Sequence, residues 1–297
     1  MRYFVTGASG FIGSAVVPEL LGAGHEVVGL ARSDASAEAL AAAGAQVRRG
    51  DLDDLDALRA GAADSDGVIH LAFIHDFDRH EQAARVDLRA IEAMGAELKG
   101  SDRPFVIASG TLGLKPGRLA TEQDMPDAAL SPRAAAAATT LALADDGVRS
   151  SVLRLAPSVH SDARTGFVGY LVDVARRQGV AAYVGDGTSR WNAVHQRDAA
   201  LLFRLAAERA PAGSVLHGVD EEGVAMRDIA EVIGRRLGVP TASIAPEEAA
   251  GHFAWMGPLV SLDAPASSLL TRDLLDWRPT GPTLLADLDG GRYFDQA

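Results

Sequence analysis

The first half of the chain alternates between short apolar runs and longer helical stretches. Tyr3 to Thr6 is apolar and runs straight into Gly7-Ala8-Ser9-Gly10-Phe11-Ile12-Gly13. A helical stretch follows to about Leu21, and Pro18 inside it removes a backbone donor, which predicts a kink or irregularity. Strands are predicted over His25–Leu30, Gln46–Arg49, Gly67–Ala72, Phe105–Ala108 and Ser151–Leu155. Helices are predicted over Ala35–Ala43, capped by Ser33 or Asp34, over Leu55–Ala60, and over a long amphipathic run from about Phe77 to Leu98. The alanine-rich stretch 131–147 adds another helix, since alanine and leucine have the highest helix propensity. Strands separated by helices at this spacing predict a parallel sheet covered on both faces.

The second half is less regular. Helices are expected near 167–178, 197–209, 226–237 and 266–276, with short strands near 181–184 and 214–219. Ile229, Val232, Ile233 and Leu237 repeat as one buried helix face. No tandem repeat or low-complexity linker interrupts the chain, so its halves should pack as one body.

Composition removes several function classes. The 297 residues carry 28 Lys and Arg against 40 Asp and Glu, a net charge of −12 with no basic run. Nucleic acid and anionic membrane are therefore not expected as partners. There is no cysteine, which excludes disulfides and thiolate zinc sites. His80-Glu81-Gln82-Ala83-Ala84 lacks the second histidine of a zinc protease, and neither a Gly-x-Ser-x-Gly elbow nor a Walker loop is present. No metal is expected. The start of the chain leaves no room for a signal peptide, and no apolar run has the length of a membrane span, so the expected location is cytoplasmic.

Gly7, Gly10 and Gly13 fall between the first strand and the first helix, the context a dinucleotide site requires. Glycine lets the backbone approach a pyrophosphate, which rests on free N–H groups at a helix N-terminus. Ser9, Phe11 and Ile12 belong to the same turn. An NAD site usually carries Asp or Glu at the end of the second strand for the ribose 2′-hydroxyl. Here Leu30 takes that place, followed by Ala31, Arg32 and Ser33, which predicts NADP with Arg32 on the extra phosphate.

TGASGFIG at Thr6–Gly13, GDL at Gly50–Leu52, HLAF at His70–Phe73 and VIASGT at Val106–Thr111 together resemble the extended short-chain dehydrogenase/reductase family, NAD-dependent epimerases and dehydratases included. LRLAPSVH at Leu153–His160, VHQRDAA at Val194–Ala200 and LTRDLLDWRPT at Leu270–Thr280 extend the resemblance over almost the whole chain. It implies a Rossmann-type, doubly wound α/β fold: an NADP-binding domain at 1–155 and a smaller substrate lobe at 156–297, with about 181–219 returning to the main sheet. It further implies that Asp51 and Leu52 flank the adenine and that Leu71, Ala72 and Phe73 line the cofactor cleft. Ala108 and Ser109 would lie by the nicotinamide ribose, and Pro157 and Ser158 near the nicotinamide amide.

The family's usual catalysts are a Ser or Thr, a Tyr, and a Lys four residues after the Tyr. That pair should lie on the 131–147 helix, which holds neither residue. The only lysines are Lys99 and Lys115, and four residues beyond Tyr3, Tyr170, Tyr183 and Tyr293 stand Gly7, Val174, Gly187 and Ala297. The resemblance is thus to an atypical branch.

Thr111 or Ser109 could orient a substrate oxygen, with Thr111 preferred, and the acid would be His75, His160 or a bound water. Both histidines follow strands at the carboxyl edge of the sheet, and imidazole titrates near neutral pH. His195 and Asp198 are expected to organise the fold instead.

Three functions follow as expectations. The first is hydride transfer between NADP(H) and a small carbonyl, imine or enone. The second is NADP binding without turnover, as a sensor or scaffold. The third is non-redox nucleotide-sugar epimerisation or dehydration. A homodimer is compatible with all three.

Overall fold

The computed structural model describes residues 1–75, 79–126 and 133–295. Seven parallel strands form the main sheet: β1 (Arg2–Thr6), β2 (Glu26–Ala31), β3 (Gln46–Arg49), β4 (Gly67–His70), β5 (Pro104–Gly110), β6 (Arg149–Leu155) and β10 (Ser214–Gly218). Their order is β10-β6-β5-β4-β1-β2-β3, so the chain reverses its winding between β1 and β4. That switch point opens a crevice at the carboxyl ends of the strands.

Helices cover both faces. α1 (Gly13–Gly22) and α7 (Gln196–Arg209) pack on one side with Val16, Val17, Leu20, Leu202 and Phe203 buried. α3 (Leu55–Ala63), α4 (His80–Leu98) and α5 (Ala134–Ala142) cover the other with Leu58, Ile91, Met94 and Ala137. α2 (Asp34–Ala42) lies beside β2 and β3. α1 runs unbroken through Pro18, so the expected irregularity does not interrupt it. Ser33 supplies the cap of α2, accepting from the Ser36 N–H at 3.2 Å. The expected start of α4 at Phe77 lies outside the described residues, as do positions 131 and 132 of the alanine-rich stretch. Two of the alanines of α5 are packing surface. Ala136 and Ala137 are buried, and α4 comes so near that a Cβ at Gly95 would fall 2.6 Å from Leu143 Cδ1.

The second half adds β7 (Ser158–His160), α6 (Gly166–Gln178), β8 (Ala181–Val184) and β9 (Arg190–His195) before α7. Beyond β10 come β11 (Glu221–Ala225), α8 (Met226–Leu237), β12 (Thr241–Ile244), α9 (Ala249–Phe253), α10 (Gly257–Val260), α11 (Leu269–Leu275) and α12 (Leu284–Gly290). β7, β9 and β11 form a three-stranded sheet, and β8 pairs with β12. Only part of 181–219 therefore returns to the main body. β10 joins the main sheet and α7 packs on it, whereas β8 and β9 belong to the smaller sheets. No helix among the described residues is long and apolar enough to cross a membrane.

Asp198 ties the end of the chain to this frame. It is 5% exposed, and its two oxygens accept the N–H groups of Thr280 at 3.0 Å and Gly281 at 2.8 Å. The indole N–H of the buried Trp277 donates to the Asp198 carbonyl at 3.1 Å. Hydrogen bonds to charged groups contribute about 1.5–3 kcal/mol each. Asp198→Ala should therefore lower stability by roughly 3 kcal/mol and the melting midpoint by roughly 5–10 °C. Thermal unfolding with an unchanged midpoint would contradict this anchor.

Candidate functional site

The crevice at the switch point is a cleft of about 840 Å³. Its wall includes Gly7, Ser9, Gly10, Phe11, Ile12 and Gly13 from the first turn, and Leu30 and Arg32 from the end of β2. Asp51, Leu52, Leu71, Ala72, Phe73 and His75 continue it, and Thr165 to Phe167 of the second lobe close one side.

The glycine turn is held by steric necessity. Gly7 has φ +66°, and a Cβ there would lie 2.6 Å from the Ala72 backbone nitrogen. A Cβ on Gly13 would lie 2.2 Å from the Gly7 carbonyl oxygen. Strand, turn and helix are in backbone contact, which only glycine permits. Gly10 is different: its Cβ would meet only the Gly7 oxygen at 3.2 Å and otherwise open space. The N–H groups of Phe11 and Ile12 have no acceptor among the described residues. Two orphan donors at a helix start, on a wall that any side chain at Gly10 would cover, fit an anionic group such as a diphosphate.

A residue from the other half of the chain fixes this turn. Gln196, the first residue of α7, donates from Nε2 to the Phe11 carbonyl, with Ser14 Oγ 3.3 Å away. Sequence reasoning missed Gln196, which stands 182 positions after Ser14; the VHQRDAA motif was the only signal.

At the other end of the cleft, Leu30 is 7% exposed, while Arg32 is exposed and makes no hydrogen bond or ion pair among the described residues. Its neighbours differ: Arg48 pairs with Asp64 at 2.6 Å, and Arg49 pairs with Asp34. Ser33 does not line the cleft; its hydroxyl serves the α2 cap. Asp51 lines the cleft and also organises its own turn, with Oδ1 accepting from the N–H groups of Asp53 at 2.9 Å and Asp54 at 3.1 Å.

The candidates for chemistry separate. His75 is exposed on the cleft wall, edge-on to Phe73 with ring centroids 5.4 Å apart. His160 is corrected: it is 1% exposed inside β7, and its Nδ1 lies 2.6 Å from Asp287 Oδ2. Its ring meets His195 edge-on at 5.5 Å, and the same Asp287 oxygen lies 3.6 Å from His195 Nε2. The pleat turns His160 into the second lobe rather than toward the cleft. Thr111 is corrected too: it is 2% exposed, with Oγ1 3.0 Å from Asn192 Oδ1, so its hydroxyl joins β5 to β9. Ser158 is fully buried in β7, and Pro157, Ala108 and the half-buried Ser109 also lie off the cleft wall.

One charged group at the end of β5 went unnoticed in the sequence. Arg133, at the start of α5, donates from Nη2 to the Ala108 carbonyl at 2.7 Å and from Nε to Asp87 Oδ2 at 3.2 Å. Its guanidinium stacks 4.3 Å from the Phe73 ring centroid. Asp87 is fully buried, with Oδ1 3.1 Å from His70 Nε2, and His70 Nδ1 is 2.7 Å from Thr6 Oγ1. Thr6 Oγ1 accepts from Ala72 N–H at 3.3 Å. The network is satisfied when Thr6 donates to Nδ1 and Nε2–H donates to Asp87. Burial works against the Asp87 carboxylate, but the hydrogen bond from His70 and the Arg133 charge outweigh it and hold its pKa below the usual value.

Burial depresses the pKa of His160 below 6.5, with Asp287 offsetting it in part, and burial likewise depresses His217. A histidine whose folded pKa is lowered binds fewer protons folded than unfolded. Its effect is to reduce stability as pH falls below about 6.5, down to the folded pKa. Unfolding midpoints should therefore fall between roughly pH 7.5 and pH 5.5, and His160→Gln should make that fall shallower. An identical pH slope in the variant would contradict the burial of His160.

Comparisons with known proteins bear on the family and the fold. The model of the NAD dependent epimerase/dehydratase family matches residues 3–217. A protein of Schizosaccharomyces pombe, described only as uncharacterised, is 49% identical over 99% of this chain and 100% of its own. The 4-hydroxy-2-methyl-3-oxo-4-farnesyl-3,4-dihydroquinoline-1-oxide ketoreductase of Stigmatella aurantiaca is 26% identical, covering 91% of this chain and 85% of its own. Among solved structures, a dTDP-glucose 4,6-dehydratase from Streptomyces venezuelae with NAD bound superposes with a TM-score of 0.76 at 20% identity, covering 99% of this chain and 97% of that one. The last likeness concerns the fold.

Proposed function

Since the chain belongs to the NAD-dependent epimerase/dehydratase family of extended short-chain dehydrogenases/reductases, we propose that it is an NADP-dependent oxidoreductase acting on a small organic carbonyl, imine or enone. Arg32 carries the cofactor assignment: an exposed guanidinium on the cleft wall with no partner among the described residues. It follows a leucine at the position where an NAD site usually places an acid. A guanidinium binds a phosphate in two-pronged fashion. The orphan amides of Phe11 and Ile12 would hold the diphosphate, and Leu30, Asp51 and Leu52 would border the adenosine. Leu71, Ala72, Phe73 and His75 would face the nicotinamide end, where a reduced nicotinamide supplies a hydride. The ketoreductase activity of the Stigmatella relative supports carbonyl chemistry.

One observation favours a second reading, a sensor that holds NADP without turnover. α5 carries neither a phenol nor an ammonium, and where that pair would stand its alanines pack on α4. The lack of a Tyr-x-x-x-Lys pair also counts against nucleotide-sugar epimerisation or dehydration.

Titration with NADPH and NADH, followed by absorbance assays over carbonyl, imine and enone panels, separates these readings. We expect tighter binding of NADPH and its oxidation by at least one panel; binding with no oxidation would select the sensor. Loss of one charge-assisted contact costs about 1.5–3 kcal/mol. Arg32→Ala should thus weaken NADPH about 10- to 150-fold while leaving NADH affinity unchanged. Equal NADPH affinity in the variant would refute the assignment.

A further inference from the structure

The reaction end of the cleft lacks the phenol and ammonium of its family, yet a cation stands beside it. Arg133 precedes α5 by one residue and lies behind Phe73, which forms part of the cleft wall. Three contacts fix its guanidinium: Nε on Asp87, Nη2 on the Ala108 carbonyl, and its face on Phe73. Nη1 has no hydrogen-bond partner among the described residues, and the side chain is 20% exposed. Asp87 is itself fixed from behind by His70, and His70 by Thr6, at the end of β1. A polar chain of four side chains from β1, β4, α4 and the start of α5 thus ends at the carboxyl edge of the sheet in a guanidinium whose Nη1 is unpaired among the described residues. Burying Asp87 and His70 has a cost unless they are fully paired, and each is.

We propose that Arg133 is a catalytic residue whose Nη1 hydrogen-bonds the substrate oxygen, and that the substrate is a conjugated enone. The proposal rests on the NADP reading above. Arginine keeps its proton in proteins, so it stabilises a developing oxyanion without protonating it. That suits a substrate whose charged form is itself stable. A hydride adds to the carbon β to the carbonyl, forming a C–H bond there as the C4–H bond of the dihydronicotinamide breaks and the nicotinamide is oxidised. The alkene electron pair shifts so that the carbonyl oxygen carries the charge, as an enolate. Water then protonates the α-carbon, which gives the saturated ketone and hydroxide. An imine is disfavoured, because its reactive form is an iminium cation that the guanidinium repels. Asp87, His70 and Thr6 are positioning residues. His75 is the one other titratable group on the cleft wall near Phe73 among the described residues.

The test uses 4-nitrophenol, whose anion is yellow, as a stable stand-in for an enolate. It is titrated into the full-length protein saturated with NADP+, at a pH below the phenol's own pKa. Wild type should bind it as the anion. Arg133→Gln should weaken binding about 10- to 150-fold, the range for losing a hydrogen bond to a charged group, and abolish the yellow signal. Arg133→Lys should restore part of both. NADPH affinity measured in parallel shows that each variant is folded. A second arm follows single-turnover oxidation of NADPH by a panel of simple enones such as 2-cyclohexen-1-one, with a rate that should be insensitive to pH across the histidine range. Several outcomes overturn the proposal: no anion signal in wild type, an undiminished signal in Arg133→Gln, loss of the signal in His75→Gln instead, or no reduction of any enone. A wild-type protein that binds no NADPH refutes the NADP reading itself, a distinct result seen before any phenol is added.

Discussion

Backbone contact at the first turn constrains everything downstream. Gly13 is pressed onto the Gly7 carbonyl and Gly7 onto the backbone at Ala72, so β1, α1 and the end of β4 meet with no room for a single Cβ. The Phe11 and Ile12 amides stand at that contact, on the wall of a cleft and unpaired among the described residues. Gln196 holds the turn from outside the first 155 residues. The candidate nucleotide site is therefore a product of both halves of the chain, although its motif lies in thirteen residues.

The same switch point organises the polar interior. Thr6 ends β1 and His70 ends β4, adjacent strands in register. From there the chain of side chains runs through Asp87 to Arg133 and the end of β5. Charged groups this deeply buried are rare unless each is paired. Their pairing fixes the Arg133 guanidinium against Phe73, a residue of the cleft wall. The alanine helix behind it is packing: Ala136 and Ala137 lie against the α4 side of the core.

The inner strands of the main sheet were legible in the sequence because they are buried on both faces and read largely as apolar runs. The glycine turn was legible because its residue types answer a steric demand only glycine meets. β7, β9, β11 and β12 were not, being short, mixed in polarity, and paired within small sheets. Position relative to a strand located His75 on the cleft wall correctly, but it could not give the pleat. His160 and Thr111 follow the right strands and face inward, to Asp287 and Asn192. Arg133 gave no local signal. Its meaning depends on Asp87, 46 positions earlier, and on a ring at position 73.

The central claim is that the first turn and Arg32 together hold the phosphates of NADP. A crystal structure of the protein grown with NADP+ tests it most directly. The account predicts the diphosphate against the Phe11 and Ile12 amides, with the 2′-phosphate in contact with the Arg32 guanidinium. A dinucleotide bound elsewhere, or one whose 2′-phosphate points into solvent away from Arg32, would contradict it.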